Sequence, residues 1–194
     1  MSTGPKIALT KALPIAQRFL KLVGPFVEKA EIAGSVRRQC REVGDIEIVV
    51  VENPLNTLDN LFYDGYPGMV VNGKRLKRFK YPKSNVQVEL YIAQPYDYGR
   101  ILAIRTGSSF YSHHQLATAW FRNGWTGTLD GLRRRTECVK KGKKWILKSE
   151  FKNNPTKPPV FATEYDFFNF LGTKWKPPEQ RNWISRNPIF NYSR

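Results

Sequence analysis

Hydrophobic and polar positions alternate regularly in two segments of the first half of the chain. In DIEIVVV (45–51) and VQVELYIA (86–93), every second residue at the start is apolar. This period of two predicts two strands, each with one buried face. The opposite faces carry Asp45 and Glu47 in the first strand and Glu89 in the second. The sequence therefore places these carboxylates on strand faces that do not belong to the core.

The rest of the first half predicts a helix and a hairpin. Apolar residues at helical spacing predict a helix over 10–25, with Thr10 as its N-cap and Pro14 in its first turn. The segment 69–81 predicts two strands around Asn72-Gly73, which is a common hairpin signal. A change of pattern near residue 94 marks a boundary between two lobes that are expected to pack together.

The second half begins with two helical stretches that are broken at Thr106-Gly107, the second of them capped by Ser108 or Ser109. Residues 125–150 are punctuated by glycine and are typical of strands. A last helix is expected within 163–172, because its first residues have the spacing of a capping box. The aromatic residues of 161–175 fit its core side better than a base-stacking platform.

The net charge of the chain indicates which class of partner it binds. The chain has 194 residues, and 32 Lys and Arg against 16 Asp and Glu give a formal net charge of +16. Such an excess favours nucleic acid, because each neutralised phosphate releases counterions. Solubility or an acidic protein partner is the alternative. The basic residues that we predict to contact DNA are Lys74, Arg75, Lys77, Arg78, Arg133, Arg134, Lys140 and Lys141.

Other sequence features narrow the class of protein. The amino terminus lacks the apolar core of a signal peptide, and no run of 18 apolar residues occurs. We therefore expect a soluble intracellular protein, in a microbe or a virus-infected cell, with no membrane association. Cys40 and Cys138 form no CxxC pair, so neither a thiolate metal site nor a disulfide framework is predicted.

The strand carboxylates suggest chemistry if their two strands are neighbours. Unpaired anions that are close together repel each other unless they are protonated or bound to cations. Carboxylates on a rigid sheet suit Mg²⁺, which shares its remaining positions with water and substrate phosphates. The alternative is an exposed sheet face with acidic residues in salt bridges. Spacing alone does not separate the two.

The segment AGSVRR (33–38) favours the first alternative. Gly34 allows close approach of a phosphate to the backbone, and Ser35 adds a hydroxyl donor. Arg37 and Arg38 follow as cationic donors. Gly-Ser followed after nine residues by Asp-x-Glu on a strand is a stronger signal than Gly-Ser alone.

This order of motifs resembles the nucleotidyltransferase superfamily, and within it the family X (beta-type) DNA polymerases. The similar segments are IAGSVRR, VGDIEIVV, VQVELYIA, YGRILAIRTGS and TEYDFFNFLGTKWKPPEQRN. Together they span roughly residues 10–184 in the family's order. The resemblance implies a chain that starts directly at the palm, without the family's N-terminal lyase and helix-hairpin-helix domains, as in reduced viral members of the family.

The resemblance implies an α+β fold with two lobes. Residues 1–93 would form a nucleotidyltransferase palm, a mixed sheet with helices on one face. Residues 94–194 would form a small α+β nucleotide-binding lobe.

The resemblance also implies roles for individual residues. Asp45 and Glu47 would hold two Mg²⁺ ions, or Mn²⁺, and Glu89 would bind the catalytic ion. The nucleotide would contact Gly34, Ser35, Arg38, Ile104, Arg105, Gly107, Ser108 and Ser112. The family usually has Asp in place of Glu47 and Glu89, and a Tyr-Phe pair in place of Ile104-Arg105. The second departure predicts weaker discrimination against ribonucleotides.

The expected function is that of a minimal, monomeric DNA polymerase. It would add dNMP from a dNTP to a primer 3′-hydroxyl on primer–template or gapped DNA, plausibly in gap filling during DNA repair. The alternatives are a template-independent terminal transferase, an RNA nucleotidyltransferase, or a non-catalytic nucleic-acid-binding protein on the same fold.

Overall fold

A five-stranded mixed sheet organises the first half of the chain. The structure is a computed structural model and describes residues 5–82 and 84–182. The strands are β1 (Ile7–Ala8), β2 (Val27–Ile32), β3 (Glu42–Val43), β4 (Asp45–Glu52), β5 (Met69–Asn72), β6 (Leu76–Lys80), β7 (Gln87–Ile92), β8 (Trp125–Thr128), β9 (Gly131–Arg134), β10 (Cys138–Lys141) and β11 (Lys144–Leu147). The helices are α1 (Leu9–Val23), α2 (Gly34–Arg37), α3 (Leu58–Leu61), α4 (Tyr98–Thr106), α5 (Ser109–Tyr111), α6 (Thr118–Arg122) and α7 (Glu164–Phe170). The protein is therefore of the α+β class, as predicted.

The sheet has the strand order β2-β4-β7-β6-β5. The central pair, β4 and β7, is parallel, and the other neighbouring pairs are antiparallel. Both predicted carboxylate strands are thus adjacent in the middle of the sheet. The predicted hairpin around Asn72-Gly73 is also confirmed, as β5 and β6.

One face of this sheet is covered by α1 and α3. Helix α1 buries Ala12, Ala16, Phe19 and Val23, whose spacing puts them on one side of the helix. They pack against the apolar face of β4 and β7, which includes Ile48. The predicted helix is confirmed, but its start is not: Ala8 is the N-cap without a side-chain hydrogen bond, and the helix begins before Thr10. Pro14 consequently lies inside the helix and not in its first turn.

The opposite face of the sheet is only partly covered. Val49 and Val51 of β4 pack with Tyr98 and Leu102 of α4. Helices therefore lie on both faces of the sheet, which differs from the expected helices on one face. Because α4 covers the far end of β4, the acidic start of the strand remains open.

The second half of the chain has its own hydrophobic core. The residues buried there come from α4 to α7 and the β8–β9 hairpin: Ala103, Tyr111, Leu116, Trp125, Leu132, Phe161, Phe167, Phe168 and Leu171. The predicted core role of the aromatic segment near α7 is thus confirmed. The predicted cap by Ser108 is also confirmed, because its Oγ accepts from the Tyr111 N–H. The predicted capping box of Thr163 and Asp166 is present as well. Helices α5 and α6 are joined by a π-helical turn (Ser112–Ala117).

A buried charge network connects the two halves. Glu164 accepts two hydrogen bonds from Arg37, at 2.9 and 3.0 Å, and two from Arg181, at 2.5 and 3.2 Å. Burial by itself raises the pKa of Glu164, but the two guanidinium groups outweigh burial and lower this pKa below its ordinary value. Arg37 therefore serves the contact between the halves, and it does not supply the cleft with a cationic donor as the sequence suggested.

The described residues contain no helix that is long and apolar enough to cross a membrane. The predicted lobes extend over 1–93 and 94–194. Their residues 1–4, 83 and 183–194 lie outside the described part of the chain.

Candidate functional site

The open face of β4 and β7 forms one wall of a cleft of about 550 Å³. The parallel register pairs Glu47 with Glu89 and Asp45 with Gln87. Because strand side chains alternate, these carboxylates project to the side opposite the Ile46 and Ile48 core. The structure therefore brings together the three carboxylates that the sequence selected, in a cleft that Arg38, Arg78 and Arg105 also line.

The protein compensates the ionised forms of Asp45 and Glu47 poorly. Desolvation and the nearby Glu89 charge raise the pKa of Asp45 above its ordinary value. Desolvation and the Asp45 charge raise the pKa of Glu47 to about 8. The nearest cation to Glu47 is Arg105, whose Nη1 lies 3.8 Å from Oε1. A cation bound between these carboxylates would relieve both effects.

Glu89 has a different environment. Arg78, its cross-strand neighbour on β6, donates from Nε to Glu89 Oε1 at 2.7 Å. The Tyr91 hydroxyl donates to the other carboxylate oxygen. Burial, with the Glu89 hydrogen bond acting in the same direction, raises the pKa of Tyr91, so this hydroxyl stays a donor. Both oxygens of Glu89 thus have protein partners.

The loop before α2 closes the cleft beside β4. Gly34 has φ +60°, and a Cβ there would lie 2.3 Å from Glu47 Oε2. Glycine is therefore required for the Glu47 carboxylate to approach the backbone. Gly34 thus makes room for a carboxylate, and its predicted contact with a phosphate stays a prediction.

Ser35 and Arg38 extend from this loop into the cleft. Ser35 Oγ is buried and has no hydrogen-bond partner among the residues that the structure describes. Arg38 donates to the Thr106 carbonyl oxygen at 2.6 Å and to Asn182 Oδ1 at 2.6 Å, which holds its guanidinium at the edge of the cleft. Buried polar groups are rarely left unpaired, so the Ser35 hydroxyl points to a polar ligand in the cleft.

The end of α4 and the start of α5 form the facing wall. Ile104, Arg105, Gly107 and Ser108 line it, as predicted. Ser112 does not, because its hydroxyl donates to the Ile104 carbonyl oxygen at 2.8 Å and so supports the wall from behind. Ser112 is thus not among the residues that line the cleft, and its predicted contact with a nucleotide stays a prediction.

Arg105 belongs to α4, but its side chain extends across the cleft to Tyr91 and Glu47 on the sheet. Its guanidinium stacks on the Tyr91 ring, 3.7 Å from the centroid, and within 5–82 and 84–182 its buried Nε has no hydrogen-bond partner. A guanidinium between Tyr91 and Glu47 is well placed to receive an anion at its free edge.

A divalent cation is the group that this donor set fits best. Asp45 and Glu47 offer hard carboxylate oxygens with little cationic compensation, as Mg²⁺ requires. However, no group of three or more His, Cys, Asp or Glu residues within 5–82 and 84–182 is arranged as a metal centre. The reason is visible at Glu89, which Arg78 and Tyr91 hold. Glu89 would have to release one of these partners to become a third ligand.

The predicted DNA contacts fall into three groups. The prediction that Lys77 contacts DNA is wrong. Lys77 is fully buried and pairs with Asp59 and Asn72, because its β6 position faces the core side of the sheet. Arg78 belongs to the cleft. The other predicted residues lie at the surface: Lys74, Arg75, Arg134, Lys140 and Lys141 are exposed, whereas Arg133 is half-buried and donates to the Thr156 carbonyl oxygen.

Sequence reasoning missed some residues of the cleft. Tyr91 and Gln87 line it beside Glu89, and Ser109 lines it beside Ser108. Strand alternation puts Gln87 and Tyr91 on the face of Glu89, so this signal was present in the sequence.

Comparisons with protein-family models and with curated proteins find no match for this chain.

The pKa of Glu47 predicts how stability depends on pH. Its value in the folded protein, about 8, lies above the ordinary value of 4.5. A raised carboxyl pKa contributes stability below pH 4.5, and this contribution is lost as pH rises to 8. We expect Glu47→Gln to become more stable than the wild type by on the order of 3 kcal/mol at pH 9 in EDTA.

Urea unfolding of both proteins at pH 5, 7 and 9 measures this difference. The advantage of the variant must grow between pH 5 and pH 8 and then level off. A difference that is constant across this range would contradict the prediction. Glu28→Gln, at an exposed position of β2, is the control and should show no pH-dependent difference.

Proposed function

We propose that this protein is a metal-dependent nucleotidyltransferase that adds dNMP from a dNTP to the 3′-hydroxyl of DNA. The observation that carries the proposal is the parallel β4–β7 register, which sets Asp45, Glu47 and Glu89 opposite Ser35 and Arg105 in one cleft. On this proposal, the sheet of the first half is a nucleotidyltransferase palm. The protein would be a polymerase similar to the beta-type family, and gap filling in DNA repair is a suitable task.

The residues of the cleft divide into two groups with opposite charge. The carboxylates of Asp45 and Glu47 would hold Mg²⁺ or Mn²⁺. When bound, such ions lower the pKa of the attacking hydroxyl and neutralise the leaving pyrophosphate. Arg38 and Arg105, with the Ser35 hydroxyl, would bind and orient the triphosphate from the other side.

Binding of a metal ion would change the protonation of Glu47 and the partners of Glu89. Glu47, with its pKa of about 8, is largely protonated at pH 7 while the cleft holds no cation. It would lose this proton on metal binding, because a ligating carboxylate must be ionised. Glu89 would exchange Arg78 or Tyr91 for the ion, and the released Arg78 would then be available to a phosphate.

DNA binding is expected to depend on charge and to weaken steeply with salt. The net charge is +16 and the basic residues are widely distributed, so backbone phosphates are the expected contacts. Four such contacts would lower the affinity for duplex DNA about 100-fold between 50 and 200 mM NaCl. Fluorescence anisotropy with a labelled duplex measures this dependence.

The double variant Lys140→Gln/Lys141→Gln sharpens the salt test. Both side chains are exposed on β10, so their removal should reduce the slope of log K against log salt by about 1 to 2. An affinity that does not change with salt would contradict backbone recognition, as would tight binding to one sequence only.

Primer extension tests the function itself. Single-stranded, recessed and one-nucleotide-gapped DNA are incubated with Mg²⁺ or Mn²⁺ and with each dNTP or rNTP alone. Addition of the templated dNMP supports the proposal. Untemplated addition would indicate a terminal transferase, and preference for rNTPs or RNA primers would indicate an RNA nucleotidyltransferase.

One observation favours a second candidate, a nucleic-acid-binding protein without catalysis. Glu89 is paired with Arg78 and Tyr91, and Arg105 lies beside Glu47, so cations of the protein already occupy part of the acidic wall. If no nucleotide is added with any metal or primer while DNA binding persists, this second candidate replaces the first.

A further inference from the structure

A second concave surface lies on the half of the molecule that follows α4, outside the acidic cleft. It has a volume of about 380 Å³ and lies between the helical segment 109–122 and the β8 and β11 strands. Its walls are largely aromatic and include Trp120, Phe121 and Trp145. We call this surface the aromatic groove.

Aromatic faces in the groove are open to solvent. Phe121 is 40% exposed, and it lies beside a second aromatic residue of the groove, Trp145. Its ring lies 6.3 Å from that of Trp145, with an interplanar angle of 53°. The two rings therefore form a continuous apolar surface, and part of it is open to solvent.

The groove is bordered by cations. The Arg135 guanidinium stacks on Phe121, 4.6 Å from the ring centroid. Lys140 is the cross-strand neighbour of Trp145 in the β10–β11 hairpin, so both side chains share one face of it. Residues 112–148 contain nine Lys and Arg against two acidic residues. One of the acidic residues, Glu137, is buried.

This combination identifies the occupant. We propose that the aromatic groove binds an unpaired stretch of single-stranded DNA, with bases stacking on Phe121 and Trp145 and phosphates contacting Arg135 and Lys140. Stacking platforms with basic borders are how proteins hold single strands without reading their sequence. An acidic or apolar protein partner would leave either the aromatic faces or the cations without a matching group.

The distance between the groove and the cleft indicates which part of the DNA would lie in the groove. Ser109 lines the cleft, and Phe121 lies in the groove on the same helical segment. At about 1.5 Å per residue, twelve residues separate the two by roughly 18 Å. This corresponds to at most about five nucleotides, because an unpaired strand spans more per nucleotide than the about 3.4 Å of a stacked duplex. The inference deepens the proposed function and rests on it for one point, that the bound strand is the template overhang of the DNA being extended.

The binding test uses DNA in EDTA, so that it does not depend on nucleotide transfer. A 12-nucleotide dA strand containing 2-aminopurine is titrated with the wild type and with Phe121→Ala, Trp145→Ala and Trp145→Phe. Each alanine variant should bind roughly 5- to 150-fold more weakly, as loss of one stacking contact predicts, and Trp145→Phe should retain most of the affinity. Tyr63→Ala, which removes an exposed aromatic ring elsewhere, is the control and should bind like the wild type.

Recessed duplexes with 5′ overhangs of 2 and 8 nucleotides test the position of the strand. Phe121→Ala should weaken binding of the 8-nucleotide overhang and leave the 2-nucleotide overhang unchanged. Equal weakening of both, or of a blunt duplex, would overturn the proposal, and so would an unchanged affinity for single strands. Unchanged affinity with an altered sedimentation coefficient would show that the groove is an interface between copies of the chain.

The two proposals fail in different ways. If primer extension is absent but Phe121→Ala weakens single-strand binding, the groove proposal stands and the transferase proposal falls. If primer extension is present but the alanine variants bind the 12-mer as tightly as the wild type does, only the groove proposal falls.

Discussion

Asp45→Asn will abolish nucleotide addition while leaving the protein folded and able to bind DNA. The substitution keeps the shape of the side chain but removes the charge that a divalent cation requires. Asp45 is on the open face of β4 and outside the core cluster, so packing is preserved. We expect the rate of dNMP addition to fall at least about 1000-fold, because both the attacking hydroxyl and the leaving group depend on the bound ions.

Stability should change in the opposite direction. Desolvation and the neighbouring Glu89 charge make the ionised Asp45 carboxylate unfavourable in the folded protein without a cation. In EDTA, the free energy of unfolding of Asp45→Asn should therefore equal or exceed that of the wild type. Primer extension and urea unfolding measure the two quantities, with the exposed Asp64→Asn as control. A variant that retains half of the wild-type rate, or that loses activity by unfolding, would refute the assignment of Asp45.

Glu164→Gln will destabilise the protein by about 3–5 kcal/mol at pH 7. Its carboxylate is buried between Arg37 and Arg181, and Arg181 is itself fully buried. Removing this negative charge leaves the buried Arg181 without a carboxylate partner among the described residues, whereas Arg37 keeps Glu31 at 2.6 Å. The cost of an unpaired buried charge is of that size. Glutamine keeps one acceptor oxygen, so the expected loss comes from charge and not from shape.

The pH dependence separates this cause from a packing defect. The pKa of Glu164 is lowered in the folded protein, so its contribution is present above pH 4.5 and is lost as pH falls through the folded pKa. The difference between wild type and variant should consequently be smaller at pH 3.5 than at pH 7. An equal difference at both pH values would mean that charge is not the cause. Glu179→Gln, at an exposed neighbouring position, should change stability by less than about 0.5 kcal/mol.

The parts of the fold that follow from local pattern were predictable from the sequence. Alternation in 45–51 and 86–93 predicted both the strands and the side on which Asp45, Glu47 and Glu89 lie. The caps of the later helices were equally local, because a Ser or Thr hydroxyl meets a backbone N–H within three residues.

The parts that depend on distant contacts were not predictable in the same way. Lys77 belongs to a basic run, but strand alternation turns it inward to Asp59 on α3, which no property of the run itself indicates. Arg37 follows the Gly-Ser pair as a phosphate ligand would, but it contacts Glu164, 127 positions away. Ser112 matches a position where the resembled family often has Asn near the incoming base, but the helix here directs its hydroxyl to the Ile104 carbonyl oxygen.

The shared register of β4 and β7 also limits how this chain can change in length. Every second residue of β4 belongs to the core, and the residues between them at its start are the acidic ones. One inserted or deleted residue near Gly44 would exchange the two sets, so that carboxylates would enter the core and isoleucines would face the cleft. Substitutions can therefore alter the site one residue at a time, whereas insertions and deletions there remove the site and the fold together. A library of single-codon deletions over 44–48 should contain no folded member, while deletions in the exposed loop at 64–65 should be tolerated.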